Sequence, residues 1–264
     1  MNFFKLKLIY FSIILLSELS ITRKYYLSKK IRKTSVNLMK IYPFFLKCTF
    51  AYLFITTQFA CSPIKFIKPL KKNQHGAMVS LGGPLIKYGS ATIPIPFLTA
   101  NYGYGIDSTL TGFASFNVTS ALFGNFQMEL GATKQLLKQK KYFPSISFTP
   151  VANIIFRNKD AYKLYPQIAM NAFWEYGKRK NLIYFSLDNW FEFAKKRAHE
   201  VKQTNHWIFM PTAGHIFTGK KWSFTVEAKI IAPNLSNEKL VVEYQTPLKN
   251  NGAFGIYLGC TRKF

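Results

Sequence analysis

The sequence predicts an all-β fold, a single closed antiparallel transmembrane β-barrel of about ten strands behind a helical N-terminal signal segment. Aromatic residues make up 17% of the 264 residues and charged residues 18%, whereas a soluble domain usually carries about 25% charged residues. Past residue 60 there is no apolar run of the ~20 residues that a membrane-spanning helix needs. This composition favours alternating strands with one face in lipid.

The N-terminal part contains a pattern typical of export. Residues 39–60 begin with Met39 and Lys40 and continue with an apolar core that only Lys47 interrupts. A small residue then precedes Cys61, as in the signal peptide of a lipoprotein. We therefore predict a signal peptide over 39–60 and lipidation of Cys61.

Two features of this region leave alternatives open. Gln58 and Phe59 stand where a lipobox usually has Leu and a small residue, so an ordinary signal peptide or a retained anchor would also fit. Residues 1–38 lie upstream of a complete signal peptide and are interpreted as an over-extended reading frame. Residues 61–75 are interpreted as a tether that precedes the barrel.

Ten strand-like runs, six of them with clear period-two alternation, predict the strands of a barrel over residues 76–264. In one of them Phe126, Met128 and Leu130 alternate with Gln127 and Glu129. A soluble β-sandwich also alternates, but these runs of about 11–14 residues exceed the usual ~5–6 of soluble sheets. The predicted strands are 76–87, 93–106, 109–120, 123–134, 144–157, 164–177, 181–194, 206–218, 221–232 and 253–264.

The connections between these runs predict an orientation, because outer-membrane barrels have short periplasmic turns and longer outer loops. The two longest connections, 195–205 and 233–252, fall on one side, which is assigned to the cell surface. The predicted periplasmic turns are 107–108, 135–143, 178–180 and 219–220. The other predicted outer loops are 88–92, 121–122 and 158–163.

The final strand carries a specific pattern. Phe254, Ile256, Leu258 and the terminal Phe264 share one face. This strand resembles the C-terminal signal that the barrel assembly machinery reads in outer-membrane proteins. Together with Ser120–Asn125 (SALFGN) and the GIYLG of this strand, it makes residues 61–264 similar to small outer-membrane β-barrel proteins of the Bacteroidota. The resemblance implies the fold and a bacterial outer-membrane location, and no activity.

Charged residues on the opposite face of the strands are predicted to line the lumen. A narrow barrel forces them to pair with one another or with water. They could form a hydrogen-bonded polar filling, or a path for protons or ions. The predicted lumen network consists of Glu129, Glu175, Asp188, Glu192, Glu227 and Lys229.

The remaining patterns assign no catalytic residue, metal site or cofactor. His199 and His206 lie in or beside a long loop without a nucleophile motif, and no metal-ligand spacing occurs. The net charge of +25 is attributed to contact with outer-membrane lipids and lipopolysaccharide rather than nucleic acid, because the basic clusters fall between strands. A structural, binding or small-solute passage role is expected; the alternative is an enzyme acting on lipid or peptide at the outer rim.

Overall fold

The computed structural model describes residues 64–89, 91–157, 161–193, 202, 204–237, 243–246 and 248–264. The predicted signal segment and Cys61 lie outside these residues, as does His199. The described residues form one short helix and eleven strands. The strands are His75–Tyr88 (β1), Ala91–Pro94 (β2), Phe97–Asp107 (β3), Leu110–Asn117 (β4), Asn125–Leu137 (β5), Ser145–Arg157 (β6), Ala161–Tyr176 (β7), Asn181–Phe191 (β8), Trp207–Thr218 (β9), Trp222–Ser236 (β10) and Asn251–Lys263 (β11).

Ten of the strands close into a barrel. Each pairs antiparallel with its neighbours in chain order, and β1 pairs with both β3 and the final strand β11. At this seam Gly76 lies opposite Lys263 and Pro84 opposite Gly255. The short strand β2 pairs only with the end of β1 and stays out of the barrel ring. The predicted closed antiparallel barrel of ten strands is confirmed.

Two predicted strands differ from those observed. The predicted strand 93–106 divides into β2 and β3, because Pro94 and Pro96 have no N–H to donate to a ladder. The predicted strand 109–120 ends at Asn117, where a helix, α1 (Val118–Leu122), begins. The Asn117 side chain accepts a hydrogen bond from the Ser120 N–H, as a helix N-cap does. The predicted outer loop 121–122 is therefore part of a longer helical connection.

The two ends of the barrel differ in the length of their connections. Residues 108–109, 138–144, 177–180 and 219–221 link strands at the end where β1 starts and β11 finishes. The opposite end has the short connection 158–160, the helical connection 118–124, the stretch 89–96 that contains β2, and the two longest connections, 192–206 and 237–250. Short turns are characteristic of the periplasmic end of an outer-membrane barrel, so we refer to the first end as periplasmic and to the second as outer.

The barrel wall is apolar outside and polar inside. Leu130 and Leu187 point outward and are 50% and 41% exposed, whereas Ser147 and Thr149 point inward and are at most 1% exposed. A closed barrel leaves no unpaired strand edge, which is what allows a sheet to stand in lipid. This arrangement, with aromatic residues such as Trp222 near the ends of the strands, is that of a protein of the bacterial outer membrane.

Among the residues that the structure describes, no helix has both the length and the apolar character to cross a bilayer.

Candidate functional site

A segment that precedes the first strand enters the lumen. Ile64, Phe66, Ile67 and Leu70 are each at most 5% exposed, although none of residues 64–70 belongs to a strand. We call residues 64–70 the plug. They lie within the segment interpreted from sequence as a tether preceding the barrel, so this part of that segment packs inside the barrel.

The plug is bound to the wall by hydrogen bonds along its length. The Leu70 N–H donates to Thr111 Oγ1 at 2.7 Å, and the Ser147 hydroxyl donates to the Ile67 carbonyl oxygen at 2.7 Å. Buried backbone groups need such partners, because an unsatisfied one is costly. The wall therefore satisfies plug groups that a free tether would leave to water.

The wall also has small residues where the plug approaches it. A Cβ atom at Gly103 would lie 2.7 Å from Phe66 Cε2, and one at Gly259 would lie 2.9 Å from Ile64 Cδ1. Just after the plug, a Cβ at Gly105 would overlap the carbonyl oxygen of Lys71. The absence of side chains at these glycines therefore leaves room for the plug and for the residue that follows it.

Lys65 binds the plug to the centre of the lumen. Its Nζ lies 3.0 Å from Asp188 Oδ1 and donates to Gln167 Oε1 at 3.2 Å. The side chains of Lys65 and Asp188 are both 5% exposed. Removing one partner from such a buried pair leaves an uncompensated charge and costs about 3–5 kcal/mol.

A second buried pair lies on one strand. Glu227 and Lys229, two residues apart on β10, face the same side, and Lys229 Nζ lies 3.0 Å from Glu227 Oε2. The Tyr184 hydroxyl donates to the other oxygen of Glu227. Lys229 also stands 4.9 Å from the centre of the Tyr257 ring, a cation–π distance. Both charges are therefore compensated inside the barrel.

Glu129 connects to a row of amides across three strands. The Asn153 amide donates to Glu129 Oε1 at 3.2 Å and accepts from the Gln127 amide at 3.3 Å. Gln127 in turn accepts from the Asn117 amide at 3.1 Å. The Glu129 carboxyl interacts with both Lys65 and Lys229, so it belongs to the same central cluster.

The other two residues of the predicted network lie apart from this centre. Glu175 is near the periplasmic end, where its Oε2 lies 2.8 Å from Lys68 Nζ. Glu192 is near the outer end, where its carbonyl oxygen lies 2.7 Å from His206 Nδ1 and its carboxylate interacts with the Tyr165 hydroxyl. The structure thus brings together four of the six predicted residues, and adds Lys65 and Gln167, which sequence reasoning missed.

A small cavity lies between the two buried pairs. It has a volume of about 10 Å³ and is lined by Lys65, Ile67, Asn171, Ser186, Asp188, Thr212, Glu227 and Lys229. A cavity of this size holds about one water molecule. The plug therefore packs closely against the wall at this point.

The described histidines lie away from this cluster. His75 Nδ1 lies 2.6 Å from the Tyr102 hydroxyl, and His215 Nε2 lies 2.5 Å from the Tyr176 hydroxyl. His206 is exposed at the outer end. Within the described part of the chain, no group of three or more His, Cys, Asp or Glu side chains could hold a metal ion.

The predicted assembly signal lies on the outer face of β11. Ile256, Leu258 and Phe264 are 40%, 54% and 58% exposed, and Phe254 is half-buried. Phe264 also completes the seam, because its backbone exchanges two hydrogen bonds with His75 and its ring stacks on the His75 ring at 6.0 Å.

Comparison with known proteins gives similar barrels. An outer-membrane channel from Pseudomonas putida F1 aligns with a TM-score of 0.44 and 10% sequence identity, over 77% of this chain and 100% of that one. The translocator domain of the autotransporter NalP from Neisseria meningitidis gives 0.36 and 9%, over 88% and 98%. The attachment invasion locus protein Ail of Yersinia pestis gives 0.26 and 9%, over 73% and 99%. No protein-family model and no curated protein matches the chain.

Proposed function

We propose that this protein is an outer-membrane channel for small polar solutes that its own plug, residues 64–70, holds closed. The observation that carries the proposal is the buried pair between Lys65 of the plug and Asp188 of the wall, 3.0 Å apart. Because no plug residue belongs to a strand, the plug can leave without breaking a rung of the barrel. The structural role and the binding role expected from the sequence do not need such a separable filling.

The charged residues that remain on the wall determine which ions the open lumen prefers. Glu129, Asp188 and Glu227 face Lys229 in the same cluster, and all four are at most 3% exposed. When Lys65 leaves with the plug, the wall cluster has three acidic groups and one basic group. A narrow pore with this excess attracts cations and repels anions.

Single-channel recording in planar lipid bilayers tests this proposal. We expect the wild-type protein to conduct rarely. Lys65→Gln should open more often, because it leaves Asp188 buried without its counter-charge while the plug is in place. In a potassium chloride gradient the reversal potential of the open state should indicate cation selectivity. The charge-swapped variant, Lys65→Asp with Asp188→Lys, is the matched control and should return to rare opening.

Folding has to be checked for each variant by the shift in gel mobility between heated and unheated samples. Equal, low conductance in wild type, Lys65→Gln and the swapped variant, all with folded barrels, would contradict the channel and favour a structural filling. An anion-selective open state would contradict the role of the wall carboxylates.

Lipidation of Cys61 stays a prediction, because Cys61 lies outside the described residues. Mass spectrometry of the mature N-terminus tests it. The assignment to a Bacteroidota type likewise stays a prediction.

The enzyme alternative also stays a prediction. Its candidate His199 lies outside the described residues, and the His206 ring contacts the backbone carbonyl of Glu192. No described contact supports an activated nucleophile beside His206.

A further inference from the structure

Among the residues that the structure describes, basic side chains are concentrated at the periplasmic end of the barrel. Three successive turns there, 138–141, 178–180 and 220–221, contain eight exposed Lys or Arg in nine positions. We call these eight residues the basic rim. The turn between β3 and β4, at 108–109, has none. The rim therefore covers one arc of the barrel mouth.

The acidic groups at this end do not neutralise the rim. Among the described residues, Asp107 lies 3.7 Å from Lys134, and Glu175 lies 2.8 Å from Lys68. No ion pair between described residues involves any of the eight rim side chains. A surface of this kind has an unbalanced positive potential and attracts anions.

The same end also exposes apolar side chains beside the charges. Leu136, Leu137, Tyr142 and Phe143, which flank the rim lysines of one turn, are 54%, 61%, 91% and 78% exposed. The Trp174 indole N–H donates to the Tyr142 carbonyl oxygen at 2.9 Å, which holds this turn against the aromatic belt. Lysines interleaved with exposed aromatic and aliphatic groups are typical of surfaces that lie in the headgroup region of a bilayer.

We propose that the basic rim binds the phosphates of anionic glycerophospholipids, such as phosphatidylglycerol, in the periplasmic leaflet. The position of the rim excludes lipopolysaccharide as its ligand, because that lipid occupies the opposite leaflet. The exposed apolar residues favour a lipid over a polymer of the cell wall, which would leave Tyr142 and Phe143 in water. The proposal depends on the orientation of the barrel and not on the channel.

Quenching of tryptophan fluorescence by brominated lipids tests the proposal on the full-length protein. Trp174 and Trp222 lie on the outer face near the rim, within reach of lipids bound there. In vesicles of phosphatidylcholine mixed with brominated phosphatidylglycerol, we expect quenching above that for random mixing. Roughly fivefold enrichment corresponds to a single lysine contact with an anionic membrane surface. Raising the salt concentration should remove the enrichment, because salt screens exposed charges.

Two variants, each of which removes four positive charges, distinguish an effect of the rim from an effect of the total charge of the protein. Replacing Lys178, Arg179, Lys180 and Lys221, half of the rim, by Gln should lower the quenching markedly towards the random level. Replacing Lys87, Lys163, Lys202 and Lys249, which lie at the outer end, should leave it unchanged.

Three results would overturn the proposal. They are equal enrichment in both variants, loss in the outer variant alone, and enrichment in wild type that salt does not affect. Sedimentation with purified peptidoglycan is the parallel measurement: rim-dependent pelleting without any phosphatidylglycerol preference would reassign the rim to the cell wall. The salt series needs only the wild-type protein, so the test stands even where a variant does not fold.

Discussion

At the residue scale, successive side chains of a strand alternate between two environments, the bilayer outside and the polar lumen inside. Leu130 is 50% exposed on the outer face of β5, while its neighbour Glu129 is 2% exposed in the lumen. The same one-residue step separates Leu187 from Asp188 on β8. A polar side chain inside is tolerated because it finds partners, and an apolar one outside because the bilayer replaces water.

Depth along one strand can be tested with two substitutions on β5. Leu130→Arg should cost about 2–4 kcal/mol in folding free energy, because the residue lies mid-strand, whereas Leu137→Arg at the periplasmic end should cost about 0–1 kcal/mol. Reversible unfolding in lipid vesicles measures both values. Equal losses of folding free energy for the two variants would mean that Leu130 does not lie closer to the bilayer midplane than Leu137.

Residues of the inner face are unsuitable controls for this experiment. Thr149 is 1% exposed, and its hydroxyl lies 3.1 Å from both Thr133 Oγ1 and the Asn171 amide nitrogen. An Arg there would break this network and collide with the filled lumen, so its cost would report packing rather than polarity.

At the element scale, the seam between β1 and β11 decides closure. β11 pairs with β1 over nine residue pairs, and Phe264 extends this contact through its hydrogen bonds to His75. The terminal strand therefore has two possible roles, one in the folded seam and one as the predicted signal for the assembly machinery.

Phe264→Asp separates these roles when it is tested both in cells and in purified form. If Phe264 is the assembly signal, the variant should remain protease-sensitive in cells and still fold into detergent micelles in vitro. Lys263→Gln, one residue away on the other face, is the control and should assemble normally. Failure of Phe264→Asp in both settings would assign Phe264 to the stability of the seam instead.

At the scale of the whole molecule, orientation links the two proposals. The barrel has short turns and the basic rim at one end, and the long connections at the other. If the first end is periplasmic, the plug enters the lumen from the periplasm and the rim faces the inner leaflet.

Labelling of single cysteines in intact cells tests the orientation. In a background with Cys48, Cys61 and Cys260 all replaced by Ser, Lys202→Cys should react with an impermeant thiol reagent, and Arg179→Cys should react only after the cells are opened. Both positions are exposed in the folded barrel, so accessibility alone does not distinguish them. The reverse pattern would mean that the barrel stands the other way up and that the rim meets the outer leaflet.

The sequence by itself predicted the barrel, a number of about ten strands, and the face on which many side chains lie. These features are local, because a period of two is visible along one strand without knowledge of its neighbours. The exceptions are places where proline or a helix cap ends a strand although the alternation continues. Pro94 and Pro96 interrupt a run that otherwise alternates, and the Asn117 cap converts the end of another into α1.

Only the tertiary structure decided what fills the barrel. Lys65 and Asp188 are 123 residues apart in sequence, and no local pattern connects them. Ile64, Phe66 and Leu70 are apolar, but a stretch that contains two prolines and two lysines also fits a linker. Strand register likewise decided that Glu129, Asp188, Glu227 and Lys229 meet while Glu175 and Glu192 do not. Alternation determines the face of the strand on which a charged residue lies. Its position along the barrel axis relative to other charged residues, and therefore its partners, depends on the pairing with strands that are distant in sequence.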